Sequence, residues 1–264
     1  MKLFLTGGTG FLGRNIYEKW DGSSYLYSRN QYIGTLSVHA PDYIIHCAAE
    51  IKKNEEMFDS NIALTYQILE EARKLPIKAM VYIGSSSEYG RKSHPMTEKD
   101  FLDPTTLYEA TKGAGSLLCQ AYAREYGVPV MIARPFSLYG KYEPDERLIP
   151  TAIRCAKAGW ELNVSPGCHD FIHVDDFIEG LFLMLKKPMP GEIYNFGTGI
   201  QRSNNEVVDV IEKAVGRKVK RVPIEKMRVY DTDMWVCDYG KANRTFLWQP
   251  RILFEEGIRE LCRS

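Results

Sequence analysis

The sequence contains no apolar run that approaches the roughly 18 residues needed to cross a bilayer. Its most apolar late stretch, 177–185, is broken by Glu179 and Gly180. It has no excess of either charge: 34 Lys and Arg stand against 34 Asp and Glu among 264 residues, a formal net charge of zero. A nucleic-acid binder normally carries a basic surplus, so this balance argues against that class. Paired cysteines are missing as well. Cys47, Cys119, Cys155, Cys168, Cys237 and Cys262 are scattered and form no CxxC pair, which argues against a disulfide framework or a zinc site. Nowhere do His, Cys and carboxylates group at ligand spacing, so no metal is expected. The chain opens on a strand pattern rather than on a basic segment followed by an apolar core and a cleavage site. Together these readings predict a cytoplasmic enzyme or binding protein that meets neither membrane nor nucleic acid.

What is present is an alternation of short apolar runs and helical patterns in a chain that is 44% hydrophobic. Strands are expected at 2–6, 25–27, 43–47, 79–84 and 129–133, with helices at 11–20, 61–74 and 106–126. Five-residue strands separated by helices imply right-handed crossovers and a parallel sheet, the α/β doubly wound arrangement. Ligands of such sheets bind at the carboxyl ends of the strands. After about residue 134 prolines punctuate the pattern. The expected organisation is a dinucleotide-binding Rossmann domain over 1–135, with later strands of the same sheet returning at about 170–200, and a small C-terminal substrate lobe made mainly from 136–264.

Gly7, Gly10 and Gly13 fall where the first strand turns into the first helix. Lacking Cβ atoms, they let the backbone turn tightly and approach a pyrophosphate that faces the helix N–H groups. In this context the motif predicts dinucleotide binding through Gly7, Thr9, Gly10, Phe11, Leu12 and Gly13. An acidic residue at the end of the second strand would favour NAD. This chain instead has Ser28, Arg29 and Asn30 there, and Arg29 suits a 2′-phosphate, so NADP(H) is favoured over NAD(H).

Tyr108 and Lys112 have the YxxxK spacing, one helical turn apart and on one face. An ammonium beside a phenol lowers its pKa and makes it usable as an acid or base near neutrality. Upstream, the strand at 79–84 delivers Ser85, Ser86 and Ser87 at a carboxyl end, where a hydroxyl can hold a substrate oxygen.

With TGGTGFLG at 6–13, HCAA at 46–49, the serine run, Tyr108 and Lys112, RPFSLYG at 134–140, DFIHVDD at 170–176 and YNFGTG at 194–199, the chain resembles extended short-chain dehydrogenases/reductases of the nucleotide-sugar epimerase/dehydratase family. The resemblance covers nearly the whole length. It implies that Ser85 is the catalytic serine, Tyr108 the acid/base and Lys112 the ligand of the nicotinamide ribose. Ala48, Ala49, Asn61 and Pro135 are then also on the cofactor side. On the substrate side stand Ser86, Ser87, Ser137, Arg147 and Arg228, the two arginines as candidates for the diphosphate. A homodimer through a four-helix bundle is a further implication.

Members of that family share hydride transfer at the sugar 4-position and differ in the later steps. The 4,6-dehydratases carry an Asp-Glu pair directly after the catalytic hydroxyl, and this chain has Ser86 and Ser87, which argues against water elimination. The bifunctional 3,5-epimerase/4-reductases place a Cys in the serine run and a His in the following lobe. Here Ser87 and Arg147 occupy the matching places, and arginine cannot deprotonate. The favoured reading is NADPH-dependent reduction of the C4 keto group of a nucleotide-linked 4-keto-6-deoxy sugar. The alternative is an NAD-dependent nucleotide-sugar 4-epimerase; a catalytically inert NADP(H) sensor or scaffold is a third reading. His46 and His173 read as core or supporting histidines. The four tryptophans read as core residues, with Trp235 a candidate for the edge of the sugar pocket.

Overall fold

In the computed structural model, which describes residues 1–28, 31–224 and 232–263, the strand and helix periods produce an α/β fold. The first half runs β1 (Lys2–Thr6), α1 (Phe11–Lys19), β2 (Ser23–Tyr27), α2 (Thr35–His39), β3 (Tyr43–His46), α3 (Asn54–Met57), a π-helical turn (Phe58–Ala63), α4 (Leu64–Ala72), β4 (Ala79–Ile83), a 3-10 turn (Ser86–Tyr89), α5 (Leu107–Tyr126) and β5 (Val130–Pro135). The second half adds β6 (Ser137–Tyr139), α6 (Leu148–Ala158), β7 (Glu161–Val164), β8 (Cys168–His173), α7 (Val174–Lys186), β9 (Ile193–Phe196), β10 (Gln201–Ser203), α8 (Asn204–Val215), β11 (Lys220–Pro223), α9 (Gly240–Phe246) and α10 (Phe254–Arg263).

A parallel sheet with strand order β2-β1-β3-β4-β5-β9 forms the centre. β9 returns from the second half of the chain to pair with β5, as the reading of 170–200 anticipated. Helices cover both faces of this sheet, which is why its inner strands read as continuous apolar runs rather than alternating ones. Leu3, Leu5, Val81 and Met131 enter one core with Phe177 and Trp248, while Phe4, Ile44, Met80 and Val130 enter the other with Ile68 and Cys119. Two smaller sheets, β10-β8-β6 and β11-β7, stand apart from the central one. With α6, α8 and α10 they enclose a third core around Ile149, Phe171, Ile211 and Phe254.

The helix expected at 61–74 begins earlier, as α3, and is continuous through the π-helical turn into α4. The extra residue in that turn accommodates Asn61, whose side chain bonds away from the helix. Thr106 caps α5 by accepting from the Glu109 N–H while Glu109 returns to Thr106, and Gly127 ends it in the left-handed conformation. Of the tryptophans, Trp248 is buried and donates to the Asp176 carbonyl at 3.0 Å, whereas Trp160 is 59% exposed, contrary to the core reading. Its place just past the Gly159 cap of α6 carries it out of the apolar stripe. All six cysteines are free thiols, and no helix among the described residues is long and apolar enough to cross a membrane.

Candidate active site

The carboxyl ends of β1, β3, β4 and β5 converge on one edge of the central sheet. At the first, Gly7 has φ +69, and a Cβ there would lie 2.8 Å from the Ala48 nitrogen; a Cβ at Gly13 would lie 2.1 Å from the Gly7 carbonyl oxygen. The turn is thus folded so closely that only glycines fit, and Gly10 leads into α1 with no side-chain cap. Thr9 and Gly10 are exposed, while Phe11 and Leu12 pack inward and fix the helix. Such a cradle, with uncapped N–H groups at a helix start, fits the pyrophosphate of a dinucleotide. Ser28 follows β2 and donates its N–H to Gln31 Oε1 at 2.9 Å; Arg29 and Asn30 lie outside the described residues.

The loop after β3 is held by polar bonds. Thr6 Oγ1 accepts from the Ala48 N–H at 3.1 Å and lies 2.7 Å from His46 Nδ1, whose other nitrogen lies 2.9 Å from Thr65 Oγ1. His46 is fully buried, and burial pushes its pKa down to about 3, so it is a neutral structural residue, as its sequence context suggested. Asn61 accepts from the Glu50 N–H at 2.7 Å and donates to the Glu50 carbonyl and to Thr111 Oγ1, both at 2.9 Å. It thereby ties the loop carrying Ala48 and Ala49 to α5, the helix that carries Tyr108 and Lys112.

Ser85 stands at the end of β4 and caps the 3-10 turn. Its hydroxyl lies 2.6 Å from Ser87 Oγ, and its polarity acts on the Tyr108 phenol, pulling the phenol's pKa down. Lys112, one turn along α5 from Tyr108, is buried; its Nζ donates to the Ile83 carbonyl at 2.5 Å and sits 4.3 Å from the centre of the Tyr82 ring. Burial pulls its pKa down to about 8 against the upward pull of Glu88. The expectation that Lys112 lowers the Tyr108 pKa is corrected here. Burial raises the Tyr108 phenol above its ordinary value, and the Ser85 hydrogen bond and Arg147 only partly oppose it. The Lys112 ammonium bonds the β4 backbone at Ile83, and burial is the largest influence on the phenol.

Two residues that sequence reasoning did not single out hold this geometry. Glu88 is completely buried and accepts from the Ser85 N–H at 2.7 Å, from Ser116 Oγ at 2.7 Å, and from Arg134 Nε and Nη2 at 2.8 and 2.7 Å. Arg134, 2% exposed, also lies over the Tyr89 ring, with its guanidinium carbon 4.6 Å from the ring centre. Burial raises the pKa of the Glu88 carboxyl despite Arg134. The carboxylate of the serine loop is thus turned into the protein. A Glu immediately before the loop tyrosine, facing an Arg on the adjacent strand, was the available signal.

Ser86 is also buried, and its hydroxyl accepts from the Trp235 indole N–H at 3.1 Å. The candidate substrate contact at Ser86 is therefore occupied by a protein partner, and Trp235 packs with Tyr89, Met96, Phe136 and Cys237 behind it. Pro135 ends β5 opposite Phe196 of β9. Ser137 and Arg147 line a cleft of about 530 Å³ together with Glu143, His169, Asn163 and Asn204. The Arg147 charge also pulls the Tyr108 pKa down. Asp170, another residue that sequence reasoning left without a role, is buried and ties β8 to the turn after β9 and to Cys237 by accepting from the Thr198, Gly199 and Cys237 N–H groups at 2.7, 2.8 and 3.0 Å. Arg228 lies outside the described residues.

Residues 3–197 match the NAD dependent epimerase/dehydratase family. The chain belongs to that family. The enzyme is 28% identical to dTDP-glucose 4,6-dehydratase of Escherichia coli over 98% of its own length and 91% of the relative's. It is 32% identical to UDP-glucuronate 4-epimerase of Thermodesulfobacterium geofontis over 76% of its own length and 63% of the relative's. Its fold matches a dTDP-glucose 4,6-dehydratase from Bacillus anthracis in complex with NAD at a TM-score of 0.87 and 25% identity, covering 100% of this chain and 96% of that one. The enzyme is an oxidoreductase of the extended short-chain type, built on a Rossmann-like parallel sheet.

Proposed function

We propose that the enzyme transfers hydride at C4 of a nucleotide-linked sugar, and that its reaction is reduction of a 4-keto-6-deoxy sugar with NADPH. The observation that carries the reading is the serine loop: Ser85 paired with Ser87, Ser86 bonded to Trp235, and the one carboxylate of the loop, Glu88, turned inward onto Arg134. Water elimination needs an acid/base pair next to the sugar, and no carboxylate of residues 84–90 faces it. Relatives named as dehydratases therefore inform the fold and the hydride chemistry more than the outcome.

The Gly7–Gly13 turn, Asn61, Lys112 and the loop of Ala48 and Ala49 would hold a nicotinamide dinucleotide, which when bound would supply the hydride. Ser85 holds the carbonyl oxygen and Tyr108 gives it a proton as negative charge develops there. Lys112, its Nζ held on the Ile83 carbonyl, would present its ammonium to the nicotinamide ribose. Arg147, with Ser137, takes the diphosphate end of the substrate, and Arg228 is a second candidate. The preference for NADPH rests on Ser28, Arg29 and Asn30. The exposed Tyr66, Leu117 and Tyr126 on the packed helices α4 and α5 support a homodimer through those helices, and the free thiols suit the cytoplasm.

A second reading, 4-epimerisation with retained NAD, is favoured by the similarity to UDP-glucuronate 4-epimerase. Incubation with NADPH or NADH and a 4-keto-6-deoxy nucleotide sugar, followed at 340 nm, separates the two. Stoichiometric NADPH oxidation, with the preference lost in Arg29→Ala, supports reduction. Conversion of a UDP-sugar to its 4-epimer with no net absorbance change establishes the epimerase instead.

A further inference from the structure

Glu143 is the anomaly of the substrate cleft. Its side chain is only 4% exposed, yet it stands on the wall between the 530 Å³ cleft and a neighbouring cavity of about 980 Å³. One oxygen lies 3.3 Å from Arg147 Nε, and the other, Oε2, is buried with no hydrogen-bond partner. A buried, half-partnered carboxylate is costly, and structures keep such a group where a ligand or a proton completes it.

Its electrostatic setting is simple. Burial raises the Glu143 pKa to about 7, opposed by Arg147 and by the Gly140 N–H. The other ionisable groups that line the two spaces are Glu146, Glu161 and His169 in the substrate cleft, and Lys141, Tyr142, Asp145, Arg154, Lys157 and Glu260 in the neighbouring cavity. Behind it lies Tyr139, whose hydroxyl is itself buried without a partner. Arg147 is thus, among the described residues, the cation that acts on Glu143, and it is also the cation proposed to receive the diphosphate.

We propose that Glu143 is a ligand-recognition residue that becomes protonated when a nucleotide-sugar diphosphate engages Arg147, and that its neutral carboxyl then completes the cleft as a hydrogen-bond donor. The proposal rests on the reading of this cleft as the diphosphate site. Arg147 is 41% exposed and open to a diphosphate, whereas Glu143 is 4% exposed, so a diphosphate brought onto Arg147 sets new negative charge beside a desolvated carboxylate and favours its neutral form. When the diphosphate claims Arg147, Glu143 loses its counter-charge and takes a proton from solvent. Binding is then accompanied by proton uptake, and the affinity falls by up to tenfold for each pH unit above about 7.

The test is calorimetric titration of the whole protein with UDP-glucose, dTDP-glucose and GDP-mannose. Their diphosphates are diesters without a titration step of their own near neutrality. Buffers of different ionisation enthalpy at pH 7.5 report the protons taken up. The expected result is an uptake of up to about three-quarters of a proton in the wild type, since a group titrating at about 7 is already about one-quarter protonated at pH 7.5. The uptake is absent in Glu143→Gln, which binds like wild type at pH 6 and several-fold more tightly at pH 8.5. His169 also lines the cleft, so His169→Gln is run in parallel and should retain the uptake. Binding without proton uptake in the wild type, or uptake that survives in Glu143→Gln and vanishes in His169→Gln, overturns the proposal while leaving the diphosphate site standing. Failure of all three nucleotide sugars to bind overturns the reading of the cleft itself.

Discussion

Replacing Glu88 by Gln is an isosteric change with a large expected cost. The carboxylate accepts four hydrogen bonds at 2.7–2.8 Å, two of them from a guanidinium that is itself 2% exposed. The glutamine oxygen can still accept from the Ser85 N–H. Its amide, however, turns a donor toward Arg134 and Ser116, both of which need acceptors. Arg134 is then a buried charge without a counter-ion, a situation that costs about 3–5 kcal/mol. At about 2–4 °C per kcal/mol for a chain of this size, Glu88→Gln should lower the melting temperature by roughly 10 °C in thermal unfolding followed by circular dichroism. The companion measurement is a double-mutant cycle of Glu88→Met, Arg134→Met and the pair Glu88→Met/Arg134→Met, in which both charges leave together. If the pair acts as a unit, the double variant is more stable than the sum of the single losses by at least about 2 kcal/mol. Additive losses, or a Glu88→Gln cost below about 1 kcal/mol, would refute the view that this ion pair braces the serine loop.

Tyr108→Phe should keep the fold and bind dinucleotide within a few-fold of wild type, yet lose about 10²–10⁴ in turnover, measured by the 340 nm assay. Because burial pulls the Lys112 pKa down to about 8, the ammonium is lost as pH rises through 8. The kcat/KM profile should therefore fall on its alkaline side near that pH, and Lys112→Arg should move this limb upward in whatever activity remains. His46, neutral in the folded protein with a pKa of about 3, takes a proton in the unfolded chain below its ordinary 6.5. Stability from this group is whole above pH 6.5 and is lost as pH falls, by about 2 kcal/mol at pH 5. Urea unfolding of wild type and His46→Gln at pH 7 and pH 5 should show a shallower pH dependence in the variant.

The parts of this protein that were readable from its sequence are those in which local chemistry dictates geometry. Gly7 and Gly13 announce a turn that leaves no room for a Cβ, and the five-residue apolar strands announce a sheet covered on both faces. Tyr108 and Lys112 share a helix face because the helix period requires it. Less legible were features set by what arrives from elsewhere in the chain. The π-helical turn at Phe58–Ala63 answers the need of Asn61 to reach both the β3 loop and α5, and nothing within residues 58–63 declares that. The spacing of Tyr108 and Lys112 was correct, but the inferred effect of one on the other was not, since the Lys112 Nζ is drawn to the Ile83 carbonyl of a strand that spacing cannot see.

Glu88 shows the same limit most clearly. In the sequence it is one polar residue in a run of serines, and its natural reading is a solvated loop carboxylate. In the fold its direction is decided by Arg134, 46 positions later on the next strand, and by Ser116 on α5. Those two partners draw the carboxylate beneath the loop, and its position there fixes the Ser85 N–H. A single long-range ion pair, Glu88 with Arg134, thus decides which way the one carboxylate of the serine loop points and holds the backbone from which Ser85 extends.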